Sequence, residues 1–176
     1  PTHVFICWDA TTLYVGFRAQ EGLLEPSLNM MHRVTAEKTG RDAALFSEDC
    51  VELFLRPGTG DTYHFAANSG SGTYEGIGTT AEWNADWHSA AWRGPGFYSV
   101  EMAIPFAAMQ AQPTGAWTMN LTRTRPQANE WSTWAGLQGR FHQPDQFGRL
   151  RFAVDGCRLG TSQITPAERR VNATAE

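Results

Sequence analysis

Two glutamates in strand-like runs, Glu52 in Val51-Glu52-Leu53 and Glu101 in Val100-Glu101-Met102, are the side chains best suited to acid–base work. Glycoside hydrolysis needs two carboxylates held roughly 5 to 9.5 Å apart across the scissile bond. Nothing in the spacing of Glu52 and Glu101 brings them into one cleft, and a solvent-facing or hydrogen-bonded strand carboxylate is the simpler reading of Glu101. The sequence has no Gly-x-Ser-x-Gly elbow, no His-Glu-x-x-His pair and no glycine-rich phosphate loop, and Ser69-Gly70-Ser71-Gly72 reads as a turn. Catalysis is therefore not expected. The aromatic residues, 12% of the chain with seven tryptophans, suit a sheet protein rich in turns. Trp8, Trp117 and Trp134 sit within strand patterns and read as core. Trp83, Trp87 and Trp92 are spread among small and polar neighbours, where they either form an exposed platform or cap the core from an edge. Trp131 alternates with Ser132 and Thr133, which leaves its facing open.

Other chemistries are excluded by composition. The formal charge is −4, and the 14 basic residues are scattered rather than gathered into the patch a nucleic-acid partner requires. No apolar run approaches the roughly 18 residues of a membrane-spanning helix. Cys7, Cys50 and Cys157 are too few and too far apart for a zinc site or a disulfide framework. Cys7 and Cys50 read as free thiols inside strands, since a bridge between them would need adjacent strands.

The elements that must position any site are short strands. His3 to Trp8 and Leu13 to Ala19 flank a polar turn and read as a hairpin. Gln20 to Leu45 is polar and aperiodic, a long loop with at most one helical turn. Val51, Leu53 and Leu55 alternate with Glu52, Phe54 and Arg56, a half-buried strand closed by Pro57-Gly58, and Thr62 to Asn68 is its expected partner. Further strands are expected at His88 to Arg93, Phe97 to Ile104, Ala116 to Thr124, Glu130 to Trp134 and Phe147 to Val154, with a helical turn at Pro105 to Met109. Many short strands with no long amphipathic helix predict an all-β fold of two packed antiparallel sheets, immunoglobulin-like or jelly-roll-like. At 176 residues this is one domain, 1–154, followed by a polar linker or frayed tail, 155–176.

Five segments together resemble the family 9 carbohydrate-binding modules. They are Val4-Phe5-Ile6-Cys7-Trp8-Asp9 with Leu13-Tyr14-Val15; Glu48-Asp49-Cys50-Val51-Glu52-Leu53-Phe54-Leu55; Tyr63-His64-Phe65-Ala66-Ala67-Asn68; Tyr98-Ser99-Val100-Glu101-Met102-Ala103-Ile104-Pro105-Phe106; and Pro144-Asp145-Gln146-Phe147-Gly148-Arg149-Leu150. The family has one more strand before the first of these, so the resemblance implies that an N-terminal strand is missing. It also implies a sandwich that grips a saccharide, at a chain end, between two aromatic side chains, at positions that correspond to Phe46 and Phe141. Glu52, Thr122 and Gln138 fall at the polar positions. The chain departs from the pattern in placing phenylalanine where tryptophan is usual and Ala66 where an arginine is usual, which removes five fixed donors.

The resemblance further implies structural calcium, for which Asp9, Asp49 and Asp61 at strand ends are the candidates. It implies a non-catalytic module in a larger extracellular or periplasmic protein of polysaccharide degradation, with other domains, such as a glycoside hydrolase, as partners. Related sandwiches bind haem b through a Met and a His, and the candidates for that alternative are Met30, Met31, Met102 or Met119 with His64, His88 or His142. A structural or interaction domain that has lost its sugar site is the remaining alternative.

Overall fold

Leu13, Val15, Phe17 and Ala19 are buried and alternate with Tyr14, Gly16 and Arg18, the period-two pattern of a strand with one face in a core. The same pattern recurs along the chain in a computed structural model that describes residues 1–25, 30–31, 33–152 and 160–164, with backbone alone at 23–25, 30–31 and 160–164. The strands are β1 (Thr2–Trp8), β2 (Thr12–Gln20), β3 (Leu23–Glu25), β4 (Met30–Met31), β5 (Cys50–Pro57), β6 (Tyr63–Asn68) and β7 (Thr73–Ile77). They continue with β8 (His88–Gly94), β9 (Phe97–Pro105), β10 (Ala116–Arg125), β11 (Glu130–Thr133), β12 (Gly148–Arg151) and β13 (Gly160–Ile164). The expected antiparallel sandwich is what they form.

One sheet runs β13-β1-β2-β9-β8 and the other β11-β10-β5-β6-β7. Strands β11 and β12 share the same edge of β10: β12 pairs with Ala116 to Met119, β11 with Thr122 to Arg125, and residues 134–147 loop out between them. Between the sheets, Val4, Val15, Phe17, Val100, Met102 and Ile104 meet Val51, Leu53, Leu55, Phe65, Trp117 and Leu121. Burial of each such side chain contributes about 1.5–3 kcal/mol.

Arg123 also faces inward, continuing the row of Trp117, Met119 and Leu121 on β10. Its guanidinium donates to Gln20 O at 2.8 Å, to Thr2 Oγ1 at 3.3 Å and to the Glu21 carboxylate, and lies 5.4 Å from the centroid of the Tyr98 ring. The other oxygen of Glu21 accepts from Arg125 at 3.3 Å, and Arg125 reaches Glu130 at 2.5 Å. A second inward carboxylate, Glu75 on β7, accepts from Trp87 Nε1 at 3.0 Å, from Ala85 N at 3.4 Å and from Arg41.

Several expectations are corrected. The Gln20 to Leu45 stretch contains the β3–β4 hairpin, and its helical turn falls at Leu45–Ser47. Strand β7 was not expected, because its inward residue is the charged Glu75 rather than an apolar one. The tail is not wholly a linker or helix: Gly160–Ile164 forms β13, an edge strand in antiparallel register with β1 from Thr2↔Ile164 to Ile6↔Gly160. The last expected strand is shorter, with β12 ending at Arg151; residues 153–159 and 165–176 lie outside the described residues. Removal of everything after Val154 strips β13 from β1. That truncation is expected to lower the melting temperature by several degrees, since net hydrogen bonds of about 1 kcal/mol each are lost and about 1 kcal/mol shifts Tm by ~2–4 °C in a domain of this size. A thermal melt of the truncated chain checks it.

Candidate functional site

The outer face of the second sheet is not simply solvated. On β5, β6 and β10, Cys50, Glu52, Phe54, Ala66, Asn68, Asn120, Thr122 and Thr124 all point away from the core and are nevertheless buried. Two long loops cover them. Residues 33–49 are tied down by Asp49, which accepts from Thr35 N at 2.8 Å, by Glu48, which accepts from the amides of Glu37 and Lys38, and by Asn68 Nδ2, which donates to Lys38 O at 2.8 Å. The loop 134–147 is anchored through Leu137 and Phe147, which pack on Phe54, with Phe141 against the same cluster. Asn120 Oδ1 fixes its start by accepting from Thr133 Oγ1 and Ala135 N, both at 3.0 Å.

Between these loops lies an open cavity of about 430 Å³. Its floor is Glu52, whose carboxylate accepts from Thr122 Oγ1 at 3.0 Å and from His64 Nε2 at 2.9 Å. The His64 ring is held in place by stacking on Phe54, with centroids 4.1 Å apart and planes 14° off parallel. Phe46 lies on the other side at 5.6 Å and 27°, and Tyr74 meets both rings edge-on, at 5.2 Å from His64 and 5.0 Å from Phe46. Phe141, His142, Arg140 and Trp131 complete the walls. Burial, and then the nearby His64, hold the His142 imidazole below its ordinary pKa. That favours the neutral ring, with one donor and one acceptor nitrogen. A carboxylate acceptor, hydroxyls and the exposed rings of Phe46 and Trp131 around one hollow suit a ligand with C–H faces and a rim of hydroxyls.

Phe46, Glu52 and Phe141 thus line the same cavity, though they come from three separate segments. Thr122 lies directly beneath it and acts through Glu52. Gln138 is exposed and is not among the lining residues; its carbonyl accepts from Gln143 Nε2 at 2.9 Å. Ala66 is buried under the first loop with Leu45 and Cys50, so the place of an arginine is filled by packing. His64, Phe54, Tyr74 and Trp131 are site residues that the sequence reading did not place there. For His64 the signal was present, as a histidine out of phase with the apolar Tyr63, Phe65 and Ala67.

The remaining candidates fall elsewhere. Asp9 caps the β1–β2 turn, accepting from Thr11 N and Thr12 N at 2.7 and 2.8 Å and from Tyr14 Oη at 3.0 Å; the Thr11 amide is the main reason its pKa is lowered. Asp49 holds Thr35, and Asp61 is exposed in the turn before β6. No group of three or more His, Cys, Asp or Glu side chains that could hold a metal ion occurs among the described residues. Met102 on β9 and Met119 on β10 are in the core between the sheets, whereas His64 and His142 line the cavity on the outer face and His88 is exposed on β8, so these residues form no Met–His pair for haem. The side chains of Met30 and Met31 and all of Cys157 lie outside the described residues. Cys7 and Cys50 lie on different sheets and form no bridge with each other, and burial raises the Cys50 pKa well above its usual value. Trp87 is a core residue, Trp83 packs on Tyr63 and Phe65, and Trp92 is exposed on β8, so the three do not form one platform.

No family model matches the chain, and no curated protein matches it in sequence. Solved structures do share its fold. A protein from Bacteroides uniformis provisionally described as carbohydrate-binding superposes with a TM-score of 0.68 at 18% identity, over 86% of this chain and 78% of that one. A family 9 carbohydrate-binding module from Caldicellulosiruptor kristjanssonii in complex with cellotriose gives 0.56 at 14% identity, over 88% and 76%. A structure of a family 9 module from the same organism in complex with glucose gives 0.55 at 14%, over 85% and 76%. The fold is therefore one that this chain has in common with saccharide-binding domains.

Proposed function

We propose that this domain binds a saccharide, without cleaving it, in the cavity on the outer face of the β11-β10-β5-β6-β7 sheet. The observation that carries the reading is the convergence of Phe46, Phe141 and Glu52 on one open hollow. In this reading the two phenylalanines pack on the faces of a sugar ring at a chain end, and Glu52, oriented by His64 and Thr122, accepts its hydroxyl protons. The likeness of the fold to modules solved with cellotriose and glucose supports the ligand class. Among the lining side chains Glu52 is the one carboxylate, whereas Glu101 lies on the outer face of the other sheet. A hydrolytic pair is therefore not assembled here. An extracellular or periplasmic protein with further domains acting on polysaccharide is the setting that goes with this reading.

Calorimetry with cello-, xylo- and manno-oligosaccharides tests it. Phe46→Ala and Phe141→Ala are each expected to weaken binding by tenfold to a hundredfold, by analogy with the stacking of nucleobases on aromatic side chains, which is worth about 1–3 kcal/mol, where about 1.4 kcal/mol is a factor of ten. Phe46 is 44% exposed, so its truncation should leave the melting temperature nearly unchanged. If the parent domain gives no heat with any of these sugars, and both variants act only by lowering stability, the cavity is a packing feature and the domain serves interaction or spacing.

A further inference from the structure

Trp131 is the largest exposed ring in the cavity wall, with 54% of its surface open. It stands on β11, the short edge strand, and no ring of the described residues packs on it. Its position relative to the floor follows from the register. Glu52 pairs with Thr122, which pairs with Thr133; one row along, Cys50 pairs with Thr124, which pairs with Trp131. Trp131 is therefore two strands away from the strand of Glu52, roughly 10 Å sideways, and one row further along it. It shares the outer face with Glu52, Thr122 and Thr124, because all four are in phase on antiparallel neighbours.

At that backbone offset, a ring centred over Glu52 between Phe46 and Phe141 leaves the face of Trp131 open to the next ring along. A chain extending from that ring toward the open edge of the sheet would pass over Thr124 and reach the indole. From this we infer a second subsite: Trp131 stacks on a sugar one or two residues along the chain, so that the site takes an oligosaccharide rather than a single ring. The inference rests on the saccharide reading above and adds to it which residue reads chain length. An exposed tryptophan on a hydrogen-bonded edge strand is well suited to that work, since its ring face is open, its backbone is fixed by β10, and stacking tolerates variation in the sugar.

The test is a length series, from monosaccharide to tetrasaccharide, titrated against the parent domain, Trp131→Ala and Trp131→Phe, with melting temperatures measured alongside. The parent is expected to bind the tetrasaccharide at least tenfold more tightly than the monosaccharide. In Trp131→Ala the ratio of tetrasaccharide to monosaccharide affinity is expected to fall to about one while the melting temperature holds; Trp131→Phe should keep part of the gain. Monosaccharide binding with no length dependence in the parent overturns the subsite and leaves the saccharide reading standing. So does a length gain that survives Trp131→Ala, or an equal loss at every length, which would make Trp131 part of the first clamp. Absence of binding at all lengths overturns both.

Discussion

Replacement of Arg123 by methionine is expected to destabilise the domain by about 3–5 kcal/mol, a large share of the ~5–15 kcal/mol that holds a typical domain together. The reason lies in what stays behind. The Glu21 side chain is only 4% exposed, and Arg123 beside it is more deeply buried than Arg125. With Arg123 gone, the Gln20 carbonyl and the Thr2 hydroxyl lose a donor, and a buried carboxylate loses the guanidinium that sits beside it in the core. Arg123→Lys preserves the charge but not the planar fork that serves three acceptors at once, and should fall in between. Arg123→Met combined with Glu21→Leu should recover much of the loss, because an apolar pair of similar size avoids the desolvation that a single buried charge suffers. Arg125 retains Glu130 in that double variant. Urea titrations of the four proteins, arranged as a cycle, give the coupling directly. A loss below about 1 kcal/mol for Arg123→Met would show that the inward charges are solvated after all.

Glu52→Ala is expected to have the largest effect on binding, a loss of roughly tenfold to more than a hundredfold, the equivalent of the ~1.5–3 kcal/mol carried by hydrogen bonds to a charged group. The carboxylate is 4% exposed, and both of its oxygens already serve the protein, one to Thr122 and one to His64. Each oxygen has a further lone pair, and those are what the cavity offers to a hydroxyl. Truncation removes them and also releases the His64 ring from its anchor, so stability should fall by about 1–3 kcal/mol as well. Glu52→Gln separates the two roles. An amide still accepts from Thr122 through its oxygen, and its NH2 can face His64 if the imidazole presents an unprotonated Nε2. It is therefore expected to restore stability more fully than affinity, because the charge assistance is gone. Calorimetry and thermal melts on both variants check this. Equal recovery of both properties would mean that the charge of Glu52 is not used by the ligand.

How much of this was legible beforehand depended on whether a strand had one wet face. β2 and β9 alternate cleanly, and their limits are readable to within a residue or two. β7 defeats that reading, since its inward position is Glu75, made tolerable by Trp87, Ala85 and Arg41 from loops distant in sequence. β13 fails for a related reason: Gly160-Thr161-Ser162-Gln163-Ile164 is an edge strand, with pairing to β1 but little apolar pattern to announce it. In the site, Phe46, Glu52 and Phe141 are reachable from the resemblance. Trp131 and His64 are not: alternation puts His64 on the outer face, but which side chains it and Trp131 meet there follows from register across β5, β6, β10 and β11, and register is a long-range property. Gln138 illustrates the converse, a position that matches a motif while the loop turns its side chain away from the lining.

The divided edge of β10 has a consequence for how such a protein can change. Because β11 and β12 each hold half of that edge, the loop between them is clamped at both ends by sheet hydrogen bonds that do not depend on its length or composition. Insertions, deletions and substitutions within 138–143 would alter the wall that bears Phe141 and leave the ladder intact, since long insertions in a surface loop cost little more in closure entropy. If the cavity binds saccharide as proposed, its preference can therefore be reset by grafting this loop, on a scaffold whose own stability is hardly involved. The same arrangement also leaves no long open strand on that flank for another chain to add to, so variability at the rim does not bring with it a tendency to aggregate.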